Sequence, residues 1–253
     1  MPSVSVIIPY YRKINYIKKT INSVLNQTFQ DFEIILIYDD ENYDDLIYLK
    51  KIIKKNKNVK IVLNKKNIGV GLARNKGIKN SKGKYIAFCD ADDLWNKKKL
   101  QYQLYIMKKF NLSLSHTSYN IINSTDKKIG EMIVEKILNY SDLVKSCDIG
   151  LSTIIIKSEI AKKNLFSNMK TKEDYVLWLK LAKKGIKFYG INKKLSSWRK
   201  TKNSLSSNLT QKLKDAFMLY NKKENYNKLM SLYFTIRLSV YFLIKKFKQL
   251  QIK

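Results

Sequence analysis

The segment Val4-Ser5-Val6-Ile7-Ile8-Pro9 is an apolar, β-branched run of strand length closed by a proline, and Ile17, Ile21, Val24 and Leu25 then recur at helical spacing. The alternation continues. Phe32 to Tyr38 predicts a second strand, Leu46, Leu49, Ile52 and Ile53 a second helix, and Val59 to Leu63 a third strand. A third helix follows Gly69-Val70-Gly71 and stops before Gly83, ahead of a fourth strand from Tyr85 to Cys89. Strands alternating with helices in this way predict an α/β fold: right-handed crossover units, a mostly parallel central sheet and helices on both faces. Ligands on such sheets bind beyond the carboxyl ends of the strands.

Past a helix marked by Leu100, Leu104 and Met107, the pattern breaks into short mixed segments over residues 112–160, among them Ile154-Ile155-Ile156. Asp174 to Leu181 is helical again, and from about Leu209 the chain reads as helix throughout. With two prolines and no low-complexity linker, the expected division is one α/β domain over 1–206 and a basic amphipathic helical extension over 207–253. Two cysteines in no Cys-x-x-Cys pair suit a reducing compartment, and no basic leader precedes the first strand, so the expected location is the cytoplasm.

Charge redirects attention. The formal net charge of +30 suits an anionic partner, although lysine-rich surfaces need none. The scarce acids are more telling, because ten of the 20 fall in three clusters: Asp39, Asp40, Glu41, Asp44 and Asp45; Asp90, Asp92 and Asp93; Glu173 and Asp174. Grouped carboxylates repel, and a divalent cation on a diphosphate would offset that repulsion. Taken alone, Asp90-Ala91-Asp92-Asp93 reads as a helix cap before it reads as a site, with Asp93 ahead of a helix starting near Asn96. In the first turn, Pro9-Tyr10-Tyr11-Arg12-Lys13 lacks the Gly-x-Gly-x-x-Gly of a dinucleotide site, which argues against an NAD enzyme. Arg74 stands out as one of four arginines among 50 basic residues, since arginine makes forked contacts that lysine cannot. His116, the only histidine, has no matched nucleophile and is expected to be structural.

The order Val4 to Pro9 with Tyr11, Asp39-Asp40, Asn67-x-Gly69 with Ala73-Arg74-Asn75-x-Gly77, Gly83 to Phe88 with Asp90-Ala91-Asp92-Asp93, and Glu173-Asp174-Tyr175-x-Leu177-Trp178 resembles the family 2 glycosyltransferases of the GT-A fold. The resemblance covers about residues 3–206. It implies a nucleotide-sugar site formed by Pro9, Tyr11, Asp39, Asp40, Arg74, Asp90 and Arg199, with Asp92 holding Mn²⁺ or Mg²⁺. It also implies that Asp174 is the catalytic base, that Glu173 supports the base or the acceptor, and that Asp93 caps or supports the site. The reaction implied is inverting transfer from a nucleoside diphosphate sugar, UDP-linked by expectation, to a hydroxyl on a saccharide or lipid-linked acceptor in cell-envelope polysaccharide or glycolipid synthesis.

Three departures bear on that implication. Arg12 replaces a common Asn, Glu41-Asn42 replaces Gly-Ser, and Thr201 stands where the closing segment Trp198-Arg199, with Ser204 and Ser206, often carries a His. An inactive glycosyltransferase-like subunit is therefore one alternative. Another is a polyanion- or nucleic-acid-binding protein, which the net charge suits but which leaves the carboxylates at strand ends without a purpose. Leu229 to Ile244 is apolar yet too short to span a bilayer, so residues 226–253 are expected either to lie on an anionic membrane surface, at its cytoplasmic face, or to pack on protein.

Overall fold

The computed structural model describes residues 1–134, 137–201 and 208–250, with the side chains of the last helix described up to Ile244. The first half follows the hydrophobic pattern: β1 (Val4–Tyr10), α1 (Ile14–Leu25), β2 (Phe32–Tyr38), α2 (Asp44–Ile53), β3 (Val59–Leu63), α3 (Val70–Asn80) and β4 (Tyr85–Phe88). Side chains alternate across the sheet, so Ile7, Ile35 and Ile37 enter one core while Val6, Ile8, Ile34 and Leu36 enter the other. With both faces covered, β1 and β2 carry apolar runs interrupted only near their starts, at Ser5 and Glu33. The expected helices on both faces are thus the cause of the sequence pattern.

Residues beyond β4 add β5 (Leu94–Trp95), α4 (Lys99–Lys109), β6 (Leu114–Ile122), β7 (Lys128–Met132), β8 (Ile137–Leu138), α5 (Tyr140–Leu143), β9 (Ile155–Lys157), α6 (Ser158–Lys163), α7 (Glu173–Lys183), β10 (Phe188–Arg199), α8 (Leu209–Met218) and α9 (Lys228–Leu250). The sheet runs β3-β2-β1-β4-β9-β6-β10-β5, with β7 on β6 and β8 on β10. Strands β3, β2, β1 and β4 are mutually parallel, as are β6 and β10. The remaining pairings, including β9 between β4 and β6, are antiparallel. The stretch that defied ordering in sequence therefore extends the parallel sheet with short antiparallel strands.

Two details differ from expectation. Strand β1 continues through Pro9 to Tyr10, with Pro9 in register with Ile37. Asp93 caps no helix: β5 intervenes, and α4 starts only at Lys99, where Asn96 Oδ1 accepts from the Lys98 amide. The C-terminal helices share the main core, since Leu219 and Tyr220 are fully buried in the cluster that contains Trp178. Ser204 and Ser206 lie outside the described residues.

Candidate active site

Parallel strands deliver their carboxyl ends to one edge, and Asp39-Asp40 after β2 and Asp90 after β4 meet there. Asp39 is buried and fully engaged. Its carboxylate accepts from Asn64 Nδ2 at 2.7 Å and from the amides of Ile68 at 2.9 Å and Gly69 at 3.1 Å. Those bonds shape the turn into α3, where Gly69 takes φ +89°, a conformation that a side chain would strain. Asp40 accepts from Arg12 Nε at 3.1 Å and from the Asn42 amide at 3.2 Å. Arg12 thus takes up this carboxylate from the solvent side, with its guanidinium 4.9 Å from the centre of the half-exposed Tyr11 ring.

Arg74 joins two clusters that are 83 residues apart in sequence. From α3 it donates Nη2 to Asp90 Oδ1 at 2.7 Å and Nη1 to Glu173 Oε1 at 2.5 Å, and the side chain is 4% exposed. Close approach makes this fork possible: a Cβ on Gly71 would lie 2.6 Å from the Ser167 carbonyl oxygen and 3.2 Å from Glu173 Cγ. Burial opposes the Arg74 charge, but Asp90 and Glu173 together hold its pKa above the ordinary value. On the other side of the pair, burial pushes Glu173 up to about 7, aided by Asp174 and resisted by Arg74. Asp174 is also raised by burial, while Arg74, the Tyr175 amide and Lys172 pull it back. Asp174 is thus a half-buried carboxylate with a raised pKa in the first turn of α7, beside the Arg74 fork.

The Asp90-Ala91-Asp92-Asp93 turn closes through the Asp93 amide, which donates to the Asp90 carbonyl at 3.0 Å. Ser152 clamps it. Its Oγ accepts from the Asp90 amide at 3.0 Å and donates to Asp93 Oδ2 at 2.6 Å. Asp93 Oδ1 accepts from the Arg199 amide at 2.8 Å, so Asp93 supports the turn from within. Burial, together with Asp92 and Asp90, raises its pKa well above the ordinary carboxylate range.

Arg199 differs from the expectation that it holds the diphosphate. Its side chain is 0% exposed: Nε donates to the Asp92 carbonyl at 2.7 Å, and Nη1 donates to the Asn123 carbonyl at 2.9 Å and pairs with Asp126 at 2.5 Å. This arginine fixes the backbone behind Asp92, with its guanidinium 4.7 Å from the centre of the Tyr16 ring.

Asp92 pairs with a cation of the chain itself. Lys13 Nζ sits 2.7 Å from Asp92 Oδ2, and Thr201 Oγ1 lies 3.5 Å from the same ammonium. Burial raises the Asp92 pKa, and Lys13 lowers it. Among the described residues no three His, Cys, Asp or Glu side chains form a metal cluster. The donor set nevertheless suits a hard cation, because Mg²⁺-type sites take one or two protein carboxylates and complete their shell with substrate phosphates and water.

Ser152 and Lys13 are the contributors that motif reading missed. Ser152 lies in the stretch whose order was unreadable. Lys13 is hidden among 46 lysines, and only its place two residues after Tyr11 at the end of β1 could have singled it out. His116 is buried, and burial drops its pKa to about 4, leaving it neutral at pH 7.

The model of the family described as "Glycosyl transferase family 2" matches residues 5–168, a span that ends before α7. A putative teichuronic acid biosynthesis glycosyltransferase of Bacillus subtilis, TuaG, is 34% identical over 224 residues, 88% of this chain and 89% of that protein. An uncharacterised glycosyltransferase of Rickettsia conorii is 42% identical over 200 residues, 78% of this chain but 32% of that longer protein. The Escherichia coli UDP-Glc:alpha-D-GlcNAc-diphosphoundecaprenol beta-1,3-glucosyltransferase WfgD is 33% identical over 212 residues, 83% of this chain and 82% of its own. Among solved structures, S. aureus TarS 1-349 in complex with UDP-GlcNAc superimposes with a TM-score of 0.73 at 18% identity, covering 91% of this chain and 69% of that one. The Pyrobaculum calidifontis mannosyltransferase PcManGT, in complex with GDP-Man and Mn2+, gives 0.67 at 12% identity, covering 100% and 81%. These two likenesses establish a shared fold.

Proposed function

We propose a reaction for this chain on one premise, that it belongs to glycosyl transferase family 2. It transfers a sugar from a UDP-linked donor to a hydroxyl on a lipid-linked saccharide, in the synthesis of a cell-envelope polysaccharide, with inversion at the anomeric carbon. The relatives named for teichuronic acid synthesis and for undecaprenol-linked glucosyl transfer support the acceptor class, and the UDP-GlcNAc complex of a protein of the same fold supports the donor.

The observation that carries this reading is the Arg74 fork, which sets the donor-side carboxylate Asp90 and the acceptor-side carboxylate Glu173 on one guanidinium. In the reaction, Asp174 takes the proton of the acceptor hydroxyl as that oxygen bonds to the anomeric carbon, and the bond from that carbon to the diphosphate breaks. Pro9, Tyr11 and Asp40 form the nucleotide end of the cleft, Asp39 holds the turn beside it, and Asp90 faces the ribose and diphosphate. Arg199 serves the donor indirectly, through the backbone of Asp92. Asp92 would hold Mn²⁺ or Mg²⁺, which when bound would offset charge on the departing diphosphate. Glu173 positions the base side through Arg74. Residues 1–206 carry the chemistry and 207–253 form the extension, with the protein on the cytoplasmic face of the membrane.

The test is Mn²⁺-dependent turnover of UDP-sugars with undecaprenyl-diphosphate-linked acceptors. Asp174→Asn should cost on the order of 10²–10⁴-fold in kcat, the range of a general base, with Tm unchanged. Full activity in Asp174→Asn, or in Asp92→Asn, would overturn the assignment.

A further inference from the structure

Helix α9 turns the wrong side outward for an ordinary packing helix. The face toward the domain carries buried Ser231 and Thr235 beside Phe234 and Leu238, and its hydroxyls are satisfied inside the helix: Ser231 Oγ donates to the Asn227 carbonyl, Thr235 Oγ1 to the Ser231 carbonyl and Ser239 Oγ to the Thr235 carbonyl. The opposite face carries the larger aliphatic load. Leu229, Tyr233, Ile236, Val240 and Leu243 recur at four- and three-residue steps, which places them on one stripe, and Leu229 is 80% and Ile236 54% exposed. Tyr233, Ile236, Val240, Tyr241 and Ile244 also line a shallow apolar groove with Arg237.

Such a seam admits two occupants, a second copy of the chain or a lipid surface. Charge separates them. From Asn225 to Lys253 the sequence holds no Asp or Glu, whereas Lys228, Arg237, Lys245, Lys246, Lys248 and Lys253 are all cationic. Two copies laid helix to helix would oppose like charges with no acidic residue of α9 to answer them. Anionic headgroups would neutralise them. Among the described residues no helix is long and apolar enough to cross a membrane, and an apolar stripe on one face of a helix meets lipid by lying in the interfacial plane.

We propose that α9 docks flat on an anionic bilayer through the stripe Leu229, Tyr233, Ile236, Val240 and Leu243. The helix is tied to the catalytic residues by an aromatic relay. Phe234 stacks on Tyr220 at 5.2 Å between ring centres, and the Tyr220 hydroxyl lies 3.1 Å from that of Tyr175, the residue after Asp174. Asp215 of α8 also accepts from both the amide and the hydroxyl of Thr171, three residues before Asp174. Docking would therefore fix the distance from bilayer to base, which matters on the reading that the acceptor is carried on a lipid.

The test uses the full chain and flotation with vesicles of phosphatidylcholine, with and without phosphatidylglycerol. The expected result is flotation that requires phosphatidylglycerol, weakens in salt, and falls at least about tenfold in the double variant Ile236→Glu, Val240→Glu with Tm and UDP binding retained. Unchanged flotation in the double variant, no flotation of the wild type, or a wild-type dimer in buffer that the variant splits would each overturn the proposal. Turnover separates it from the reaction assigned above. A double variant that still uses a water-soluble acceptor but loses a vesicle-borne one supports the coupling, whereas a chain that binds vesicles yet transfers no sugar sinks the reaction and leaves the docking intact.

Discussion

The ammonium of Lys13 occupies the oxygen of Asp92 that an incoming metal would need. Both partners are only partly exposed, so the pair is worth about the upper end of surface ion pairs, roughly 1 kcal/mol or fivefold in an equilibrium. Lys13→Ala should accordingly tighten the binding of Mn²⁺ alone by about fivefold, read by electron paramagnetic resonance without nucleotide; unchanged affinity would show that the pair does not compete. The base should report its surroundings through pH. Burial raises Asp174, so the acid limb of kcat/KM should lie above the ordinary aspartate range, and Arg74→Gln, which removes a charge that lowers this pKa, should move the limb higher still. At this scale the motifs were legible as carboxylates and an arginine, but not as pairs. Nothing in the spacing of Arg74 and Glu173 signals a contact, because the link forms across the fold, and the burial of Arg199 behind Asp92 is invisible in a motif.

The elements place these side chains through a few close approaches. Ser152, in a single 3₁₀ turn spanning Leu151–Thr153, fastens the Asp90–Asp93 turn at two points, and its backbone carbonyl accepts from Trp95 Nε1 at 2.9 Å. Ser152→Ala leaves the Asp90 amide and Asp93 carboxylate without that partner and should cost about 1–3 kcal/mol of stability by urea denaturation, with weaker donor binding. Gly71→Ala forces α3 away from Ser167 and Glu173, an overpacking worth about 1–3 kcal/mol by urea denaturation, and should impair turnover by more than the loss of folded protein accounts for. The strands β1, β2 and β4 were readable because burial on both faces writes a mostly apolar run into each, and the edge strand β3 through its apolar residues on either side of exposed Lys60. Strands β5, β8 and β9 were not, since two or three residues carry no period and their partners lie far along the chain.

Across the whole molecule, polar groups are buried beneath the site as well as within it. Lys99 is fully buried below the carboxylate turn, donating to Gln103 Oε1 and the Thr153 carbonyl with its ammonium 4.8 Å from the Trp95 ring centre. Burial lowers its pKa to about 7, so between that value and the ordinary lysine range the unfolded chain holds more protons than the folded one. Stability contributed at this residue should therefore rise with pH from about 7 to about 10, and Lys99→Met should flatten that rise in a plot of Tm against pH. The Arg74 fork has a larger consequence. One guanidinium answers to carboxylates on both sides of the cleft, so donor and acceptor halves are not interchangeable modules. A chimera that takes the half bearing α7 from a relative keeps the fork only if that half brings a carboxylate to position 173, and one that does not leaves the guanidinium held by Asp90 alone, with Nη1 buried and without its partner.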